Sequence, residues 1–194
     1  VSFGFPIVFL FISLGMGIAV AGSILVAQHT GADQPGKAEY AASQTVSHAL
    51  VASLLIGVVA YFLMEEVLTV MGAGASYRGQ AVAYLEVMAL GMVFTFGFWV
   101  FVSLMRGYGD TVTPMLVMFG SVVLNVILDP FIIFGWWIFP ELGIEGAAYA
   151  TVFSRAVAMV IGLAIMLEGA RGVRIRLGQM VPDVSMTRRL LRLG

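Results

Sequence analysis

There is no cysteine among the 194 residues of this chain. That excludes a disulfide framework and any thiolate metal centre. Charge is scarce as well: Asp, Glu, Lys and Arg together make up 11% of the residues, against about 25% in an average soluble domain. The net charge is −1, so no basic surface is on offer to a nucleic acid. Histidine occurs only at His29 and His48, too far apart to read as a metal-ligand pair. The usual enzyme signatures are missing too. No glycine loop closed by a lysine cradles phosphate, no helix carries a zinc motif, and no nucleophile has a base beside it. "RGYGDT" is glycine-rich but lacks the preceding strand that a nucleotide loop requires. The chain reads as a non-enzyme.

What is abundant is apolar sequence, at 60% of residues and a mean hydropathy of +1.01. Five runs, at about 5–27, 45–64, 82–105, 113–137 and 146–167, reach the roughly 20 residues that a helix needs to cross about 30 Å of hydrocarbon. They are too long and too evenly apolar for barrel strands, which alternate over about 10 residues. The expectation is an all-α integral membrane protein with five transmembrane helices. The connectors "HTGADQPGK", "MGAGASYRG", "RGYGDTVTP" and "FPELGIEG" are short and carry turn residues, so neighbouring spans run antiparallel. Pro114 falls near the first turn of its helix, where a missing N–H does no harm. The chain opens at Val1 straight into apolar sequence, without a basic leader or a small-residue cleavage site, and closes on "MTRRLLRLG". It reads as part of a longer protein and not as one headed by a signal peptide.

Lys and Arg set the orientation. Lys37, Arg106 and the six arginines 171, 174, 176, 188, 189 and 192 fall on one side of an alternating topology, and only Arg78 falls on the other. The side with eight basic residues against one is the cytoplasmic side, and it holds the tail, residues 169–194. Within that tail, "VSMTRRLLRLG" has the pattern of a basic amphipathic helix at the interface with membrane lipids.

Few ionisable residues lie inside the spans: Glu86, Asp129 and Arg155. A charge at mid-membrane costs about 2.5–3.5 kcal/mol on insertion scales, and such residues usually face the bundle interior. Asn125 and Asp129 are four apart and share a helical face. Pro130 cannot donate to the carbonyl of Val126 and disfavours helical dihedrals at Asp129, so a kink with a free carbonyl is expected there. Carboxylate, amide oxygen and carbonyl make a hard-oxygen site for Na+ or a proton; alternatively, the pair only locks helix packing. In "GIEGAAYATVFS", Thr151 follows Ala147 by four, so its hydroxyl either adds oxygens to that site or bonds back to its own helix within ordinary small-residue packing. Glu86 and Arg155 are secondary polar candidates. Glu86 can snorkel to the headgroups, and Arg155 can pair with an acid or shape the cytoplasmic mouth. His48 is read as an interfacial or packed residue ahead of a proton relay. The glycines of "GMGIAVAGS" fit close helix contact or a substrate-facing groove, and the twelve methionines and fourteen phenylalanines fit an adaptable cavity or plain packing.

Several stretches, in order along nearly the whole chain, resemble the multidrug and toxic compound extrusion (MATE) transporters: "SLGMGIAVAGSILVAQHTGADQPGKA", "VMGAGASYRGQAVAYLEV", "MRGYGDTVTPM", and "NVILDPFIIFG" followed by "ELGIEGAAYAT". The resemblance implies a twelve-helix fold of two six-helix lobes around a central cavity. Residues 1–168 would supply helices two to six of the N-terminal lobe, and residues 169–194 the connector between lobes. Helix one and the C-terminal lobe would then be partners within the same protein. The resemblance also implies a multi-pass protein of the cell membrane that exports small organic, often cationic, compounds in exchange for H+ or Na+, with no cofactor beyond that ion. In many members a cation site uses an Asp of helix one, an Asn and an Asp four apart on helix five, and a Thr with a backbone carbonyl on helix six. Asn125, Asp129, Thr151 and Ala147 match the last two helices. The rival readings are a lipid-linked oligosaccharide flippase of the same superfamily, with a more cationic cavity, and a non-transporting membrane scaffold.

Overall fold

The apolar runs fold as helices, and the turn residues between them end each one. In a computed structural model of the chain, residues 4–70, 75–169 and 171–193 are described, and no strand occurs among them. The helices are α1 (Gly4–Gly31), α2 (Pro35–Val70), α3 (Ala75–Leu90), α4 (Met92–Tyr108), α5 (Val112–Ile133), α6 (Gly143–Glu168) and α7 (Val184–Leu193), with one 3-10 turn at Leu177–Gln179. Part of the glycine-rich connector "MGAGASYRG", residues 71–74, lies outside the described residues.

Local chemistry explains the boundaries. After α1, Asp33 takes a left-handed conformation with φ 54° and Gln34 N–H closes on the His29 carbonyl at 2.9 Å. Pro35 then opens α2, where no amide hydrogen is needed. Gly109, at φ 110°, ends α4. Asp110 opens α5 by accepting from the amides of Val112 and Thr113 at 3.0 and 2.9 Å, and the Thr113 hydroxyl donates to it at 2.6 Å. These bonds hold the Asp110 carboxyl below the usual carboxylate range, the Thr113 hydroxyl contributing most.

Two spans depart from the sequence expectation. The run 82–105 is not one helix: it breaks at Gly91, and the two arms meet at 51°. A Cβ at Gly91 would lie 2.3 Å from Val152 of α6, so only glycine admits that helix at the bend. The run 113–137 stops as a helix at Ile133. Beyond it the chain turns through Gly135 and Trp137, both at φ 67°, and Trp137 is 90% exposed, as suits an indole at the membrane–water boundary. α2, in contrast, outruns its apolar stretch. Its 36 residues span about 54 Å at 1.5 Å per residue, so Pro35–Gln44 project beyond the hydrocarbon on the basic side.

α2, α5 and α6 are each long and apolar enough to cross a membrane, and α3 with α4, if taken together as one bent span, is a fourth helix pair of that length and composition. α1, at 28 residues, has the length for the fifth. α4 is the centre. Phe101, Leu104 and Met105 are fully buried among α1, α2 and α6. Gly15 of α1 lies against Phe96 and Gly22 against Thr45, so these glycines serve helix contact. α5 packs on α6 and only slightly on α4, with no more than Thr113 and Pro114 buried. The tail folds back on the basic side, and Val173, Ile175, Met186 and Leu190 enter the same core as α1 and α4. Outside hydrocarbon, burying each such side chain contributes about 1.5–3 kcal/mol.

Candidate functional site on α5 and α6

Asn125 and Asp129 share one face of α5, and the Asn125 amide donates to the Asp129 carboxylate at a long 3.3 Å. On α6, the Thr151 hydroxyl donates to the Ala147 carbonyl at 2.9 Å. Two contacts fix the antiparallel register of these helices. Ser121 donates to the Ser154 carbonyl at 3.0 Å, and the Leu142 amide to the Ile132 carbonyl at 3.1 Å. Between those contacts Asn125 falls level with Thr151, and Asp129 level with Ala147. Among the described residues no hydrogen bond joins the two pairs; each is bonded within its own helix.

Pro130 has no N–H, which leaves the Val126 carbonyl without its helical donor. Asp129 nevertheless stays helical and α5 runs on to Ile133. The expected shift of Asp129 out of helical dihedrals does not occur, because the turn re-forms beyond the proline: Phe134 N–H reaches the Pro130 carbonyl at 3.2 Å. One carboxylate, one amide, one hydroxyl and two carbonyls thus lie at neighbouring levels near the end of α5. That donor set is all hard oxygen, which suits an alkali cation or a proton. Among the described residues no group of three or more His, Asp or Glu is placed to hold a metal ion.

The other candidates lie apart from this pair. Glu86 of α3 comes near Tyr149 of α6. Arg155 follows Thr151 by one turn of α6 but reaches toward α4, where Nη1 donates to the Thr95 hydroxyl at 3.1 Å. It forms no ion pair with Asp129; the one ion pair among the described residues is Arg176 with Glu39, at 2.7 Å. His48 is a packed residue, with Nδ1 2.7 Å from the Gln44 carbonyl and Nε2 2.7 Å from the Thr187 hydroxyl of α7.

Sequence reasoning missed the polar face of α2 that holds the tail. Gln44, 1% exposed, donates to the Gln179 and Val181 carbonyls at 2.6 and 2.7 Å and accepts from the Asp183 amide at 3.0 Å. Ser43 accepts from the Arg176 amide at 2.9 Å, and Tyr40 donates to Asp183 at 3.0 Å. Asp183 also caps α7 through the Ser185 amide and hydroxyl. The Ser185 hydroxyl, then its amide, then the Tyr40 hydroxyl hold the Asp183 carboxyl below its usual range. The signal was there: Tyr40, Gln44 and His48 recur every four residues on an otherwise Ala-rich helix.

The MatE family model matches residues 1–131. The chain is 32% identical over 154 residues to the probable multidrug resistance protein YoeA of Bacillus subtilis, covering 79% of this chain and 33% of that protein. It is 26% identical over 194 residues to the multidrug export protein MepA of Staphylococcus saprophyticus, covering 100% of this chain and 42% of that one. Among solved structures, it resembles the inward-facing conformation of a multidrug resistance MATE family transporter of the MOP superfamily. That match has a TM-score of 0.79 and 28% identity over 98% of this chain and 42% of the other. The chain therefore spans between a third and a half of the length of the proteins it matches.

Proposed function

The chain belongs to the MatE family, and from that premise we propose that the whole protein is a secondary antiporter that exports small organic compounds in exchange for H+ or Na+. Asn125, Asp129, Ala147 and Thr151 form this chain's share of its cation-coupling site. The observation that carries the proposal is the level placement of the Asn125–Asp129 pair and the Ala147–Thr151 pair on two packed helices, beside the donor-less Val126 carbonyl. The names of the relatives, multidrug resistance and multidrug export, support export over oligosaccharide flipping.

Each side chain has a part. Asp129 supplies the charge that a cation or proton neutralises. Its one hydrogen bond among the described residues is long, so the carboxylate keeps acceptor capacity for the ion. The Asn125 amide turns its oxygen inward when the ion arrives, and Thr151 holds its hydroxyl at the level of Asn125. Loading changes the charge beside Pro130, where α5 lacks a backbone bond and bends most readily. Coupling requires that ion and exported compound favour different states of the protein. The test is efflux of a cationic dye from cells expressing the complete protein. Asp129→Asn at matched expression is expected to lower ion-driven efflux at least about tenfold, a loss of about 1.4 kcal/mol or more in the coupled step. Equal efflux by both proteins would return Asp129 to packing.

A further inference from the structure

Ser154 of α6 is 1% exposed, and among the described residues its hydroxyl has no hydrogen-bond partner. A hydroxyl inside a helix can return to the carbonyl one turn back, as Thr151 does to Ala147 at 2.9 Å; Ser154 does not. Buried polar groups are normally paired, and each exception calls for an explanation. Ala147, Thr151 and Ser154 follow one another at spacings of four and three, so they line one stripe of α6. Ser121, Asn125 and Asp129 form a row on α5, each four residues from the next. The Ser121 hydroxyl donates to the Ser154 carbonyl at 3.0 Å, which sets the two serines side by side, one turn inward of the level shared by Asn125 and Thr151. Having given its proton to that carbonyl, the Ser121 oxygen keeps its lone pairs for another partner. From Asp129 back to Ser121 is about 12 Å of α5 at 1.5 Å per residue, toward the cytoplasmic end. Arg155, the residue after Ser154, reaches away to Thr95 of α4.

We propose that Ser121 and Ser154 form an inner cation step, in which two hydroxyls take the coupling ion from the Asp129 pair and hand it on toward the cytoplasm. This inference rests on the antiporter reading and deepens it: the Asp129 pair binds the ion, and the serines release it. A hydroxyl both accepts and donates. Two of them side by side serve an alkali cation as oxygen ligands. They serve a proton as a relay, each oxygen accepting one proton while its own leaves on the far side. Neither serine is charged, and the guanidinium of Arg155 adds positive charge nearby, so the ion crosses this step and does not settle there. An unpaired hydroxyl costs stability while the step is empty and keeps an oxygen available to the passing ion.

The test uses the complete protein in proteoliposomes and the dye ethidium, with transport driven by a Na+ gradient in one arm and a pH gradient in the other, which tells the two ions apart. Ser154→Ala removes no hydrogen bond found among the described residues, so its unfolding temperature should equal or exceed that of the wild type. Its maximal ion-driven rate should nonetheless fall about tenfold, about 1.4 kcal/mol on the barrier to release. The half-saturating ion concentration should stay within about twofold of wild type, because the Asp129 pair is intact. Ser121→Ala should be as slow and less stable, since it loses its bond to α6, and Ser121→Thr, which keeps a hydroxyl, should recover most of the rate. Ser154→Ala working at the wild-type rate, or Ser121→Thr as slow as Ser121→Ala, would overturn the inference. Asp129→Asn in the same liposomes reads the antiporter proposal separately. Efflux that survives in Asp129→Asn overturns the coupling site, whereas efflux lost there but unchanged in Ser154→Ala overturns the inner step alone. Absence of ion-driven efflux in the wild type overturns both.

Discussion

Gln44 and Asp129 are both polar side chains on long apolar helices, and they are treated in opposite ways. The Gln44 amide is 1% exposed and uses both its atoms, in three bonds of 2.6 to 3.0 Å to the backbone of the tail. Among the described residues, Asp129 receives a single 3.3 Å contact from its own helix, and Arg155 makes a single 3.1 Å bond to a hydroxyl. A side chain whose hydrogen-bonding capacity is filled by the protein has none left for a ligand, and its role is to hold two segments together. One with capacity to spare is costly in a membrane unless something else arrives to fill it. The difference separates fastening from function in a chain where both use the same few polar residues.

The largest effect that would break this comparison is a loss of stability in Asp129→Asn. Efflux by that variant should fall at least about tenfold while its unfolding temperature stays near wild type, because almost no native hydrogen bonding is removed. Gln44→Ala should do the reverse. It strands two carbonyls and one amide at the tail and should cost about 2–3 kcal/mol. Trypsin cleavage after Arg188 or Arg189 reads the undocking, and the ion dependence of efflux should not move. A stable Gln44→Ala protein with altered coupling would show that the saturated face is part of the transport mechanism. Asp110→Ala is the smaller structural control. It removes the cap of α5 and should cost about 1 kcal/mol, seen as a lower unfolding temperature with unchanged efflux per folded molecule.

How legible each part was depends on how far its contacts reach along the chain. The Asn125–Asp129 and Ala147–Thr151 pairs are four residues apart, so helical periodicity alone places each on one face. Their mutual level needed the α5–α6 register, which rests on contacts such as Ser121 with Ser154. The break at Gly91 could not be read from hydropathy, which stays apolar on both sides; it follows from Val152, sixty-one residues away in sequence, entering at the glycine. The start of α2 was missed because the apolar run begins at 45, although the Ala-rich stretch before it is good helix sequence. The tail was read as an interfacial helix. Residues 184–193 do form a helix, but Met186 and Leu190 face the bundle core, and only α2 residues about 135 to 143 positions away show what holds it.

The smallest expected effect tests whether charge, and not only bonding capacity, contributes to the fastened side. The Asp183 carboxyl is held below its usual range by the Ser185 hydroxyl and amide and by Tyr40. A carboxyl with a folded value below its unfolded one stabilises the docked tail at every pH above the ordinary carboxylate range. That contribution is lost as pH falls through the lowered folded value. Asp183→Asn keeps a capping oxygen for α7 but carries no charge, so it isolates this contribution. The difference in unfolding temperature between wild type and Asp183→Asn should be present at pH 7 and flat down to the ordinary carboxylate range, then shrink with further acidification. A gap that stays constant into acid would mean that the carboxylate acts only as a pair of acceptors, and that the clamp around Gln44 owes its hold to hydrogen-bond geometry alone.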